Sequence, residues 1–194
     1  MSPRAGIDLP IIVQAAAELA DERGLQEVTL ASLAQKLGVR SPSLYNHIDG
    51  LGGLRIKLAI HGLKIMREQL LRAAAGRSGE EAALALGRAY IEFALARPGL
   101  YEAALAPHQQ EDGELKEVSD ELLELLLRIV EAYDLERQTA IHLARGLRSL
   151  LHGFASLKSK GGFGLPYDLT DSIDTALRAY LAGIRNQYSN SKSS

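Results

Sequence analysis

The chain has 194 residues, carries a formal net charge of −2, and is 46% hydrophobic and 24% charged, values typical of a soluble globular protein. It contains no cysteine, which excludes a disulfide framework, a thiolate nucleophile and a cysteine-ligated metal. No apolar run approaches the roughly 20 residues that span a bilayer, and the first ten residues lack the apolar core of a secretory signal. We therefore expect a cytoplasmic protein with no membrane partner.

The charges are unevenly distributed along the chain. Between Val28 and Arg67 there are six basic residues and one acidic residue, whereas from Ala73 onward thirteen basic residues accompany seventeen acidic ones. This arrangement is typical of a small DNA-binding module joined to a different second module. We term Val28–Arg67 the basic segment.

Nearly every segment has the apolar period of a helix and none alternates like a strand, so the sequence predicts an all-α fold of about nine helices. The first helix is predicted over 9–23, with Asp8 as its N-cap and Gly24 as its end. Two short helices follow, and then a long helix over 51–74.

The stretch from Thr29 to Ile48 is the most informative part of the chain. Thr29 is a good N-cap, and apolar residues at helical spacing follow it as far as Gly38, which can adopt the left-handed backbone that ends a helix. Ser41 is predicted to cap a second helix, with Pro42 at its first position. Two short helices joined by a tight turn form the helix-turn-helix that presents one helix to the major groove of DNA.

The second of these helices has an apolar side and a polar side. Leu44 and Ile48 are predicted to face inward. An ordinary helix pair in an α-helical core would not need the polar side, which carries donors suited to phosphates and base edges: Arg40, Ser43, Tyr45, Asn46 and His47.

The second half begins after the polar break at 76–79. Helices are predicted there over 80–97, 98–106, 115–133 and 136–158, and a final one starts at Thr170 or Asp171. We expect a helix-turn-helix DNA-binding domain (1–50), a connecting helix (51–76), a helical-bundle domain for ligand binding and dimerisation (77–188) and a disordered tail (189–194).

The last two long helices carry broader apolar faces than one interior requires. Such helices can meet a symmetry mate as a four-helix bundle, although both could instead pack on the body of the same subunit. The candidate dimerisation residues are Leu147, Leu150, Leu151, Phe154, Leu177, Tyr180, Leu181 and Ile184.

Together these features resemble the TetR family of one-component bacterial transcriptional regulators. The C-terminal half is similar to one branch named for a Trp-His-Gly signature, with Leu151-His152-Gly153 in that place. Leu51 stands where the family usually carries a phosphate-contacting lysine, and Arg55, Lys57 or glycine N–H groups at that helix start could replace the contact. The matching positions are Thr29, Leu33-Ala34, Leu37-Gly38-Val39, Ser41, Ser43-Leu44-Tyr45 and His47-Ile48.

The resemblance implies a homodimeric repressor that binds a palindromic double-stranded operator through recognition helices about 34 Å apart. Thr29, Tyr45 and His47 would contact phosphates, and Arg40, Ser43 and Asn46 would contact base edges, with apolar or shape contact from Pro42. The full candidate DNA-binding set is Thr29, Arg40, Ser41, Pro42, Ser43, Tyr45, Asn46 and His47.

A small-molecule effector, whose identity the sequence does not give, would bind in the C-terminal bundle and release the operator. The candidate ligand-binding residues are Tyr90, Phe93, Tyr101, His142, Arg145 and His152. We predict no catalytic residue, metal or cofactor, because no metal-ligand motif is present and Gly161–Gly164 follows a helix without a Walker lysine. The alternative is a helical small-molecule-binding protein or enzyme whose helix pair only supports the fold.

Overall fold

A computed structural model describes residues 7–107, 112–131, 133 and 135–188. These residues form eight α-helices and two 3₁₀ helices, so the all-α prediction is confirmed, and the predicted tail at 189–194 lies outside the described residues. Within those ranges no helix is both long and apolar enough to cross a membrane. The α-helices are α1 (Leu9–Arg23), α2 (Leu30–Leu37), α3 (Gly50–Ala74), α4 (Gly79–Ala96), α5 (Pro98–Leu105), α6 (Gly113–Glu131), α7 (Arg137–Ser159) and α8 (Leu169–Tyr188).

Each of the nine predicted helices has a counterpart, and the additional element is the 3₁₀ turn Leu25–Glu27. The other 3₁₀ helix, Ser41–Asn46, occupies the position of the predicted recognition helix, and we term it the reading segment. The caps of α1 are confirmed: Asp8 accepts a hydrogen bond from the Ile11 N–H (3.0 Å), and Gly24 ends the helix with φ 93°.

The described residues divide into two compact units. The N-terminal unit combines the described residues of Met1–Ile65 with those of Arg97–Val118. The C-terminal unit combines Met66–Ala96 with the described residues of Ser119–Ser194. This division differs from the sequence-based boundary near residue 76, because α5 and the start of α6 belong with the helix-turn-helix.

The C-terminal unit is held together by packing of α4 against α7 and α8. Gly87 of α4 allows this approach, since a Cβ at this position would lie 2.5 Å from Leu177 Cδ1. At the edge of the contact the Arg88 guanidinium pairs with the Asp174 carboxylate and holds its pKa below its usual value.

Candidate nucleic-acid interface

Helix α2 begins with a reciprocal cap. Thr29 Oγ1 accepts a hydrogen bond from the Ser32 N–H, and Ser32 Oγ accepts one from the Thr29 N–H, both at 3.0 Å. The Ser32 hydroxyl also donates to the Glu27 carbonyl (2.9 Å), which joins the helix to the preceding turn. The predicted N-cap at Thr29 is therefore confirmed, and its side chain is exposed at the start of α2.

At the turn after α2, the structure confirms the predicted role of Gly38 and corrects the predicted cap of the next helix. Gly38 has φ 67° and ψ 32°, and its left-handed conformation ends the helix. The next helix is a 3₁₀ helix flanked by Arg40, and no side chain caps it, so the prediction that Ser41 caps it is wrong. Ser41 is instead the first residue of the helix, where Pro42 follows without the loss of a needed N–H.

Two apolar anchors fix the reading segment. Leu44 is 0% exposed and Ile48 5%, so both predicted inward positions are confirmed. The intervening side chains are thereby turned outward, and Tyr45, a large aromatic residue, is 60% exposed. Of the eight candidate DNA-binding residues only Ser41 is half-buried; the exposed ones are Thr29, Arg40, Pro42, Ser43, Tyr45, Asn46 and His47.

Most cations of the basic segment are engaged by carboxylates of the same unit. Lys36 pairs with Glu18 (3.1 Å), while Lys57 and Lys64 both bind Glu114 (3.1 and 2.7 Å). The hydrogen bonds from Lys64 and then Lys57 lower the pKa of the Glu114 carboxyl, so it stays ionised. The excess of basic residues in the basic segment therefore overstates its free positive charge, because carboxylates from other parts of the chain pair with Lys36, Lys57 and Lys64.

The same occurs in the C-terminal unit, where Arg67 pairs with Glu121. Within the described part of the chain, Arg40 and Arg55 are the cations of the basic segment that no carboxylate binds. Arg40 is exposed beside the reading segment, whereas the Nε atom of Arg55 is buried. Of the two cations that could replace the lysine absent at Leu51, Lys57 is paired with Glu114 and Arg55 is half-buried.

Helix α5 is joined to α1 in the N-terminal unit by the Asp21 side chain. Its Oδ1 accepts hydrogen bonds from the Gly99 N–H (2.9 Å) and the Leu100 N–H (3.1 Å), and Oδ2 accepts one from Arg97 Nε. Asp21 therefore satisfies the free N–H groups at the start of α5, as an N-cap residue normally does from within the same chain segment. We term Asp21, Arg97, Gly99 and Leu100 the α5 junction.

Two glycines allow the helices at this junction to touch. A Cβ at Gly99 would lie 2.1 Å from the Ala20 carbonyl carbon, and a Cβ at Gly62 would lie 2.9 Å from the Leu100 carbonyl oxygen. His61 of α3 lies in the same region with a buried Nε2 that has no hydrogen-bond partner. Burial, followed by the charge of Arg97, lowers its pKa. No local pattern predicts this junction, because residues 21 and 97–100 are distant in sequence.

The candidate ligand-binding residues lie on several elements and differ in burial. Tyr90 and Phe93 are buried in the interior of the C-terminal unit, and Tyr101 is buried in the N-terminal unit. On α7 the three polar candidates are exposed: His142, Arg145 and His152. Among the residues that the structure describes, no group of three or more His, Asp or Glu could hold a metal ion.

The candidate dimerisation residues divide into two sets. Half-buried positions remain at Leu150, Phe154 and Tyr180, and nearby Leu157 is 55% exposed. The remainder are packed inside the C-terminal unit, as the alternative interpretation of these faces allowed, and they offer little surface to a partner: Leu147, Leu151, Leu177, Leu181 and Ile184.

Both halves of the chain match known families. Residues 12–48 match the family described as bacterial regulatory proteins, tetR family. Residues 83–180 match the family described as the tetracyclin repressor-like C-terminal domain.

Relatives along the whole chain agree with these matches. The chain is 43% identical over 185 residues to YobS, an uncharacterized HTH-type transcriptional regulator of Bacillus subtilis strain 168, covering 95% of this chain and 96% of that protein. The fold is similar to that of a protein of unknown function from Rhodococcus sp. RHA1, with TM-score 0.78, 24% identity and coverage of 94% and 98%. It is also similar to a TetR variant of Acinetobacter baumannii AYE in complex with minocycline, with TM-score 0.70, 17% identity and coverage of 94% and 99%. The chain therefore belongs to the TetR family of bacterial transcriptional regulators.

Proposed function

We propose that this regulator is a homodimeric repressor that two reading segments hold on a palindromic operator and that a small-molecule effector releases. The observation that carries the DNA-binding role is the reading segment itself: two buried anchors hold it while its donor-bearing side chains face outward. A helix pair that only supported the fold would not need to expose these groups together.

The roles of the side chains follow from their chemistry and position. Arg40 is exposed and bound by no described carboxylate, so its guanidinium is available for the bidentate contact that arginine makes with guanine. Asn46 can make the equivalent contact with adenine, and Ser43 either kind of base contact. Thr29, Tyr45 and His47 lie at the ends of the two short helices, where hydroxyl and imidazole donors suit phosphates.

The dimer surface that we propose is smaller than the set taken from sequence. It uses the half-buried residues Leu150, Phe154 and Tyr180 together with exposed Leu157, since the other candidates are already packed within the protomer. Two half-sites one helical turn apart require two protomers, because a single short reading segment contacts only a few base pairs.

We assign the effector site to the C-terminal unit, because most of the match to the tetracyclin repressor-like C-terminal domain falls in that unit. The Acinetobacter TetR variant was solved in complex with minocycline, which supports small-molecule binding by a protein of this fold. An effector can release the operator only if it binds the released conformation more tightly than the DNA-bound one.

The test is a selection of random duplex DNA with the purified protein at two salt concentrations. We expect a palindromic consensus, with affinity that falls as salt rises because phosphate contacts release counterions. The spacing of the half-sites measures the separation of the reading segments. Failure to enrich any sequence at low salt would overturn the proposal and leave the helix pair with a structural role.

A further inference from the structure

The N-terminal unit contains a cleft apart from the reading segment. Its volume is about 440 Å³, and it lies between the 3₁₀ turn Leu25–Glu27, α3 and α5. This volume falls within the range of about 300–1,000 Å³ found for small-molecule sites. None of the eight candidate DNA-binding residues and none of the six candidate ligand-binding residues lines it, although Arg55, a possible replacement for the missing phosphate-contacting lysine, does.

Arg55 of α3 is the cation in this cleft. Its side chain is half-buried, its Nε atom is buried without a hydrogen-bond partner, and none of the described carboxylates binds it. A half-buried guanidinium without a counter-ion carries an uncompensated desolvation cost, which an anion bound in the cleft would offset. The neighbouring cation Lys57 shows the contrast, because Glu114 neutralises it.

The remaining lining restricts what could bind. Leu25, Ala103 and Leu105 supply apolar walls, and Gln26 supplies an amide. Glu102 also lines the cleft and is exposed, so a second negative charge on a ligand would be repelled. A single carboxylate suits a guanidinium, whose two terminal nitrogens can bind its two oxygens in parallel.

From these contacts we infer that the cleft between α3, α5 and the Leu25–Glu27 turn is a binding site for a small monocarboxylate with an apolar tail, held by Arg55. The ligand would join α5 to the turn that precedes Thr29, the cap of α2. Any effect of this ligand on operator affinity rests on the proposed function, whereas its binding to the cleft does not.

The first experiment is a titration of the full-length, ¹⁵N-labelled protein with octanoate, monitored at the arginine Nε–H resonances by NMR. We expect a saturable shift of the Arg55 resonance with octanoate and none with octanol at the same concentrations. Arg55→Gln should weaken octanoate binding about tenfold or more, since it removes a charge-assisted bidentate pair. The matched control Arg128→Gln, an exposed arginine of the C-terminal unit, should leave binding unchanged.

A second variant keeps the test valid if Arg55→Gln does not fold. Glu102→Gln removes the opposing charge and should tighten octanoate binding severalfold. An absent Arg55 shift, or equal binding of octanol, would overturn the proposal.

A separate measurement compares the operator affinity of the wild type and of Arg55→Gln in the absence of octanoate. If Arg55→Gln lowers that affinity and reduces the salt slope by about one, while octanoate does not shift the Arg55 resonance, then Arg55 contacts a DNA phosphate and the carboxylate site is refuted. If the unliganded protein binds no operator while octanoate still shifts Arg55, the proposed function fails and the carboxylate site stands.

Discussion

The reading segment and the α5 junction belong to the same compact unit and are held in opposite ways. The reading segment is fixed from beneath by Leu44 and Ile48, and its polar side chains make few bonds within the chain. At the α5 junction nearly everything is engaged: Asp21 binds two backbone N–H groups and Arg97, and Gly99 touches the Ala20 backbone. Substitutions in the reading segment should therefore change DNA binding without changing stability, and substitutions at the α5 junction should change stability without removing a DNA contact.

The most damaging change is expected at the α5 junction. Gly99→Ala places a Cβ 2.1 Å from the Ala20 carbonyl carbon, so α1 or α5 must move. We expect a loss of about 3 kcal/mol in the free energy of unfolding, the upper end for overpacking, measured by thermal denaturation followed by circular dichroism. The control Gly164→Ala, which has nothing within 4 Å of its Cβ, should leave the melting temperature nearly unchanged. A stable Gly99→Ala protein would mean that α5 is not tightly held.

A substitution in the reading segment should weaken operator binding and leave stability unchanged. Arg40→Gln removes an exposed guanidinium bound by no described carboxylate, and we expect it to weaken operator binding by about 1–3 kcal/mol and to relax the preference at one base pair. Its melting temperature should equal that of the wild type. Lys57→Gln is the matched control, since Glu114 already binds Lys57. Equal losses of DNA affinity in the two variants would show that the ion pairs of α3 open on DNA.

Thr29 is expected to contribute both to stability, as the cap of α2, and to DNA binding, as a phosphate contact. Thr29→Ala removes the side-chain acceptor for the Ser32 N–H, and we expect a loss of about 1 kcal/mol in stability, typical for an N-cap, together with weaker DNA binding. Thr29→Ser retains the hydroxyl and should restore both. If Thr29→Ala changes stability alone, the residue is only a cap and makes no phosphate contact.

The smallest effect is expected from His61 beside the α5 junction. Because its pKa is lowered in the folded protein, protonation favours unfolding: stability is full above the ordinary pKa of about 6.5 and falls as pH decreases toward the folded value. The nearby charges of Arg97, Lys64 and Asp21 act on the same imidazole. His61→Leu should flatten the decrease of melting temperature between pH 7.5 and pH 5.5, and His142→Gln, an exposed control, should not. A His61→Leu curve that parallels the wild type would assign the acid sensitivity elsewhere.

Sequence reasoning succeeded where local pattern determines structure. The Thr29 cap, the left-handed Gly38 and the inward positions Leu44 and Ile48 all follow from short-range spacing, and the structure confirms them. The assignment of Ser41 as a cap was wrong, since a 3₁₀ helix that begins at Ser41 leaves its hydroxyl outside the capping position.

Long-range pairing could not be predicted in the same way. Nothing in the spacing of Lys57 and Lys64 indicates that Glu114, about fifty residues later, neutralises both. The apolar faces of α7 and α8 are broad enough to accommodate a second subunit. The sequence pattern of an apolar helix face is the same whether a helix of the same chain or a second subunit covers it. The close packing of Leu177 against Gly87 shows that α4 already takes part of that surface.

The division of the chain into two interleaved units also has a consequence for biosynthesis. The N-terminal unit needs residues as far as Val118, yet the ribosome makes Met66–Ala96 of the other unit before Arg97 and Asp21 can meet. The helix-turn-helix therefore leaves the ribosome long before α5, which contacts α1, has been synthesised. A fragment ending near residue 76 would lack α5, and a hybrid regulator joined at that point would inherit an α5 from a different protein, with no assurance that its first turn fits Ala20.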